Sequence, residues 1–162
     1  MVHLTNDAVQ KSGEYGKYET WNKLSFMDFD KYLDSIGYED QFYGNIYPKI
    51  KKLIRDSFLW SHHKINSHYK FNGFELYGYD IMIDENLNTY LIEVNTNPWL
   101  ETPWSLLSSV ISSVLDHTFR ITLDPIYPSP NSTSNKIKNK GIIDNLNSLS
   151  KFELIFDDRF DS

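Results

Sequence analysis

The sequence predicts an α+β fold in which one antiparallel hairpin packs against helices, and three observations carry that prediction. Residues 26–36 and 44–60 place apolar side chains at helical spacing. Residues 74–83 and 89–95 are two runs rich in aromatic and branched side chains, joined by the turn-forming stretch Asp84-Glu85-Asn86-Leu87-Asn88. Residues 103–120 carry a third helical stripe behind a proline. With 162 residues, 40% of them hydrophobic, the chain can bury one core, and nothing in it demands two.

Taken in order, residues 1–24 read as the end of a strand followed by a polar loop punctuated by Gly13 and Gly16. Ser25 stands three residues before Asp28, a cap-like start to a helix whose apolar side is Phe26, Phe29, Leu33 and Ile36, and Gly37 ends it. A second helix is expected over about 44–60 through Ile46, Ile50, Leu53, Ile54 and Phe58, with Pro48 in its first turn. The hairpin follows. Thr102-Pro103 then reads as a cap and first helical position, and Leu107, Val110, Ile111, Val114, Leu115 and Thr118 trace a core-facing stripe. Residues 125–140 hold three of the six prolines among Asn, Ser and Thr, which marks a flexible linker. In the tail, 141–162, Phe152-Glu153-Leu154-Ile155-Phe156 reads as a strand.

Composition excludes several chemistries. The chain has no cysteine, which removes disulfides, thiolate zinc sites and thiol catalysis. No apolar run approaches the roughly 18 residues that signal a membrane span, and the N-terminus lacks a secretory pattern, so no membrane partner is expected and the cytoplasm is the default compartment. A net charge of −6 argues against nucleic acid. The charge is uneven, however. Lys49, Lys51, Lys52, Arg55, Lys64 and Lys70 fall in one stretch with Asp56 as its single acid. Two readings are open: a solvated helix face, or a landing strip for an acidic partner centred on Lys51, Lys52 and Arg55.

The hairpin holds the candidate chemistry. Glu93 and Asn95 point to the same face of their strand, because side chains alternate. If the loop is residues 85–88, Asp84 faces Thr89 and Asp80 faces Glu93, so Asp80, Glu93 and Asn95 crowd one side of the pair. Two carboxylates that close repel, and a hard divalent cation relieves them. Two acids and an amide oxygen suit Mg²⁺, not zinc. The alternative at this point is that Asp80 and Glu93 lie on a solvated face.

The residues around this hairpin resemble a known family. Phe74-Glu75-Leu76-Tyr77-Gly78-Tyr79-Asp80-Ile81-Met82-Ile83-Asp84, followed by Leu91-Ile92-Glu93-Val94-Asn95-Thr96-Asn97-Pro98, is similar to the signature of the tubulin–tyrosine ligase-like enzymes. These comprise the tyrosine ligase, the glutamylases and the glycylases of tubulin. His3-Leu4-Thr5-Asn6 with Gln10-Lys11 resembles a second motif of the family, and Asn22-Lys23-Leu24-Ser25 and Thr122-Leu123-Asp124-Pro125 add to the likeness, which runs from about residue 2 to 128.

The resemblance implies an ATP-grasp fold, with residues 1–124 as the C-terminal portion of its catalytic module. It implies ATP and Mg²⁺ as cofactors, with Asp80, Glu93 and Asn95 as metal ligands and His3, Leu4, Thr5, Asn6 and Asn95 against the nucleotide. The implied reaction activates a carboxylate of tubulin as an acyl phosphate, which the amine of a free amino acid then attacks. Acidic tubulin tails and microtubules are the implied partners, with a cytoskeletal or ciliary location. The Glu93–Pro98 string leans toward the ligase-like branches, and among them toward polyglutamylation. The family module is longer, and its N-terminal part supplies the phosphate-covering loop and the lysines that hold ATP. The seven glycines here are scattered and form no such loop. The chain opens almost inside the His3–Asn6 motif, so the expectation is a fragment that needs that other half. The runner-up is a noncatalytic remnant that folds and binds tubulin tails. Asp7 also departs from the aromatic or polar residue of many members.

Overall fold

A computed structural model describes residues 24–65, 73–100, 105–127, 151–158 and 160. Among them are three α-helices, α1 (Phe26–Ser35), α2 (Tyr47–Ile65) and α3 (Ser105–Thr122), and a π-helical turn, Phe42–Ile46. There is also one two-stranded antiparallel sheet, β1 (Gly78–Ile83) and β2 (Thr89–Asn95). The α+β class is borne out. The chain divides into two compact units, Met1–Asn45 and Ile46–Ser162.

In the first unit, α1 starts and stops where its residues dictate. Ser25 sits in an extended conformation and its Oγ accepts from the Asp28 backbone N–H at 3.1 Å, while the same hydroxyl donates to Asp28 Oδ2 at 2.6 Å. That bond to Ser25 is the main cause that lowers the Asp28 pKa. At the other end Gly37 takes φ +88°, and the Gly37 and Tyr38 N–H groups close back on the Asp34 and Leu33 carbonyls at 3.1 and 2.9 Å. This satisfies two carbonyls that a helix end leaves without partners. Phe42 is the centre of the unit's apolar cluster, with the rings of Phe26, Phe29 and Tyr43 at 5.1, 5.7 and 4.9 Å. Leu33 is buried with it, but Ile36 is exposed, so the expected apolar side of α1 is covered only in part.

In the second unit, α2 runs further than expected, to Ile65, with Pro48 at its second position. β1 begins at Gly78, four residues later than the apolar run suggests. Its burial alternates: Tyr79, Ile81 and Ile83 are half-buried, while Asp80 and Met82 are exposed. The inward face meets α2. Ser57 Oγ donates to the Ile54 carbonyl at 2.7 Å, so its one hydrogen is committed and the Tyr79 hydroxyl donates to Ser57 at 2.8 Å. Tyr77, just ahead of β1, sets its ring edge-on to Phe58 at 5.9 Å. Lys49 Nζ adds a bond of 2.8 Å to the Leu87 carbonyl in the hairpin turn.

Two expectations are corrected here. Ile111 and Thr118 of the α3 stripe are buried, but Val110 is half exposed, so the stripe is narrower than predicted. The residues 152–156 form no strand. Their β-propensity finds no partner strand, and intrinsic preference alone does not make a ladder. The segment instead lies against α2. The readings placed on residues 1–23, on Thr102-Pro103 and on 128–150 fall outside the described residues. No described helix is long and apolar enough to cross a membrane.

Candidate functional site

The turn between the strands is built on Asp84. The residue expected to face Thr89 does not do so, because Ile83 holds that pairing and the loop is five residues, 84–88. Freed from the ladder, the Asp84 carboxylate caps the turn. Oδ1 accepts from the backbone N–H groups of Asn86 and Asn88 at 2.9 and 2.7 Å, and Oδ2 accepts from Asn88 Nδ2 and the Tyr90 hydroxyl at 3.0 and 3.1 Å. Leu87 takes φ +59° to close the loop. The bonds from Asn88, backbone first and then side chain, hold the Asp84 pKa below the ordinary aspartate range. The hydrogen bond to Asp84 raises the Tyr90 phenol, since its proton serves the carboxylate.

A five-residue loop shifts the register by one, and a regular ladder from it would set Asp80 opposite Ile92. That would put Glu93 on the wrong face. The ladder is not regular. Ile81 pairs with Leu91 and Asp80 with Glu93, so Ile92 is an extra residue bulged out of β2. The bulge returns Glu93 to the face of Asp80. Asn95, two residues further, joins them and is paired with Gly78.

The three side chains meet. Asn95 Nδ2 donates to Asp80 Oδ2 and to Glu93 Oε1, both at 3.3 Å. One amide nitrogen therefore stands between two exposed carboxylates, where its N–H donors offset part of their repulsion. Gly78 leaves room for the chain to turn after Asn95, since a Cβ there would meet Pro98 Cβ at 3.1 Å. No group of three or more His, Asp or Glu that could hold a metal occurs among the described residues. This cluster has two carboxylates and is completed by an amide, a donor set of hard oxygens once the amide turns its oxygen inward. The residues thus fit a small divalent cation and offer nothing soft to a thiophilic one.

The other expected site residues fare differently. His3, Leu4, Thr5 and Asn6 lie outside the described residues. Lys51, Lys52 and Arg55 do share α2, but not as bare charges. Lys51 Nζ pairs with Glu153 Oε2 at 2.9 Å, and Lys52 pairs with Asp56 one turn on. Sequence reasoning missed Glu153, Phe156 and the Lys49 tether, because each acts across a long stretch of chain with no local pattern to announce it. Gly78 and Asp84 lie within the 74–84 motif, but no local pattern marks the close approach of Pro98 or the capping of the turn.

Comparison with known proteins adds a second line. A family model described as the Tubulin-tyrosine ligase family matches residues 1–134. Tubulin glycylase 3B of Tetrahymena thermophila is 34% identical over 127 residues, which cover 76% of this chain and 10% of that protein. Tubulin glycylase 3A of Drosophila melanogaster is 33% identical, with 76% and 13% covered. The probable alpha-tubulin polyglutamylase Ttll1 of Tetrahymena thermophila is 30% identical, with 75% and 29% covered. The chain thus spans about a tenth of the length of the glycylases that it matches.

Proposed function

From the premise that the chain belongs to the tubulin-tyrosine ligase family, we propose that it carries the Mg²⁺–nucleotide part of an ATP-dependent ligase that joins amino acids to tubulin carboxylates. The observation that carries this reading is the meeting of Asp80, Glu93 and Asn95 on one face of the hairpin. Family membership implies a partial ATP-grasp fold, in which such a cluster faces the nucleotide.

Asp80 and Glu93 would supply the negative charge to hold Mg²⁺, and Asn95 a neutral oxygen that would leave the ion with excess charge for phosphate. When bound, Mg-ATP supplies the phosphoryl group that activates a substrate carboxylate for attack by an amine. The Asp84 turn fixes where the two strands begin to pair, and the bulge at Ile92 then sets the register that the cluster needs. His3, Leu4, Thr5 and Asn6 take the nucleotide-lining role that the family motif suggests.

The acidic tails of tubulin are the proposed substrate, and Lys51, Lys52 and Arg55 on α2 the proposed contact for them, which would place the protein on microtubules. Relatives at about 30% identity include both glycylases and a polyglutamylase. The lean toward glutamate is therefore not carried further, and the proposal covers glycine and glutamate alike.

The test is a chimera in which residues 1–134 replace the matching segment of a Tetrahymena glycylase. It is incubated with Mg-ATP, microtubules and labelled glycine, glutamate or tyrosine. Incorporation that disappears in a Glu93→Gln version supports the reading, and the label taken up identifies the amino acid. A correctly folded chimera that incorporates none of the three favours the noncatalytic reading.

A further inference from the structure

The segment 151–158 lies along α2, on the face proposed for acidic substrate. Glu153 reaches Lys51 Nζ with Oε2 at 2.9 Å and accepts from the Tyr47 hydroxyl with Oε1 at 3.4 Å. Three residues on, Phe156 stacks on Phe58 at 6.4 Å and leans on His62 at 5.2 Å. Tyr47 and Lys51 are one helical turn apart, as are Phe58 and His62, so the segment follows the helix in the same direction. Phe152 adds an edge contact to His117 of α3 at 5.9 Å.

The chemistry of this segment matters. From Phe152 to Asp158 it carries three acids, Glu153, Asp157 and Asp158, and no base. It is thus an acidic peptide, anchored by aromatic rings, with one carboxylate on the lysine that an acidic substrate would need. Lys51 and Glu153 remain 37% and 51% exposed, so water reaches the pair and it can exchange. Being on the same chain, Glu153 also competes at a high effective concentration.

We propose that residues 152–158 are an internal occupant of the acidic-peptide face of α2, and that an incoming acidic tail must displace Glu153 from Lys51. This rests on the reading of α2 as the substrate-contacting helix. The device sets a threshold: a single carboxylate cannot outcompete Glu153, whereas a run of them can, because further charges meet Arg55 and, in competition with Asp56, Lys52.

The experiment measures binding of a short fluorescent glutamate-rich peptide to the full chain by anisotropy at low ionic strength. Glu153→Gln, an exposed and nearly isosteric change, should tighten binding by about two- to fivefold, the range set by one exposed ion pair. Phe156→Ala should act in the same direction by loosening the anchor. Lys51→Glu should weaken binding in every background. If Glu153→Gln and wild type bind alike while Lys51→Glu weakens both, the internal occupant is refuted and the substrate face stands. If Lys51→Glu changes nothing, the face itself is refuted and the proposal falls with it.

Discussion

Asp80 stands directly across the hairpin from Glu93 only because Ile92 is squeezed out of the ladder between them and the turn. Two local features cancel. The Asp84 turn takes one residue more than a four-residue loop, and the bulge gives one residue back. A bulge costs ladder regularity, so its presence at the one place where carboxylates must share a face fits a site that has been positioned.

The first prediction concerns that cluster. The Asn95 amide nitrogen faces both carboxylates. A cation between them would repel the N–H donors and attract the oxygen, so the amide should rotate. Addition of Mg²⁺ should shift the Asn95 side-chain NH₂ resonances in an NMR titration. Glu93→Gln and Asp80→Asn should each weaken Mg²⁺ binding by about tenfold or more, because ligand charge dominates affinity for hard cations. Unchanged Asn95 resonances at saturating Mg²⁺ would rule the site out.

Asp84 gives a pH prediction. Its folded-state pKa lies below the ordinary 3.8, so its contribution is fully present above the unfolded value and is lost as pH falls through the folded one. The turn should therefore be intact at neutral pH and loosen only in acid. A carbon-detected titration of the Asp84 carboxyl should show a midpoint below 3.8. Hydrogen-exchange protection at the Asn88 amide should fall with it. A midpoint at or above 3.8 contradicts the capping role.

These particulars show what could be read from residues alone. Ser25 and Gly37 announced the ends of α1, because caps and left-handed glycines are local chemistry. The pairing of Asp80 with Glu93 was also legible, but by a route that the structure amends, since neither the left-handed Leu87 nor the bulge at Ile92 has a sequence mark. Phe152–Phe156 was misread as a strand: branched and aromatic residues suit a sheet, yet here rings are used to hold an extended segment on a helix. Contacts such as Glu153 to Lys51 span about a hundred residues, and no window along the chain contains both partners.

The basic face of α2 yields a charge prediction. Reversal of Lys51, Lys52 and Arg55 together to glutamate should weaken binding of an acidic tubulin-tail peptide by about tenfold at low salt. The loss should shrink as salt rises, because exposed charges are screened beyond roughly 8–10 Å. Lys52→Glu alone should also lower helix stability, by about 0.2–0.5 kcal/mol, since it sets a like charge one turn from Asp56. Equal peptide affinity before and after the triple reversal would return the strip to a solvated helix face.

The last prediction tests whether Gly78 positions Asn95. A glycine within a strand ordinarily gains about 0.5–1 kcal/mol on replacement by alanine, because the unfolded chain loses freedom. Here the new methyl would stand 3.1 Å from Pro98 Cβ, a tight contact with a ring that has little freedom to move. Overpacking of this kind costs about 1–3 kcal/mol, so the steric term should outweigh the gain. Relief can come only from Pro98 backing away, and Pro98 follows Asn95 by three residues. Gly78→Ala should thus lower the unfolding midpoint in denaturant and, more tellingly, weaken Mg²⁺ binding, although Gly78 itself carries no ligand atom. A control at Gly44, where a Cβ meets nothing within 4 Å, should leave Mg²⁺ binding unchanged. If Gly78→Ala lowers stability while Mg²⁺ affinity stays at the wild-type value, the close approach of Pro98 is packing alone and Asn95 is held by the ladder.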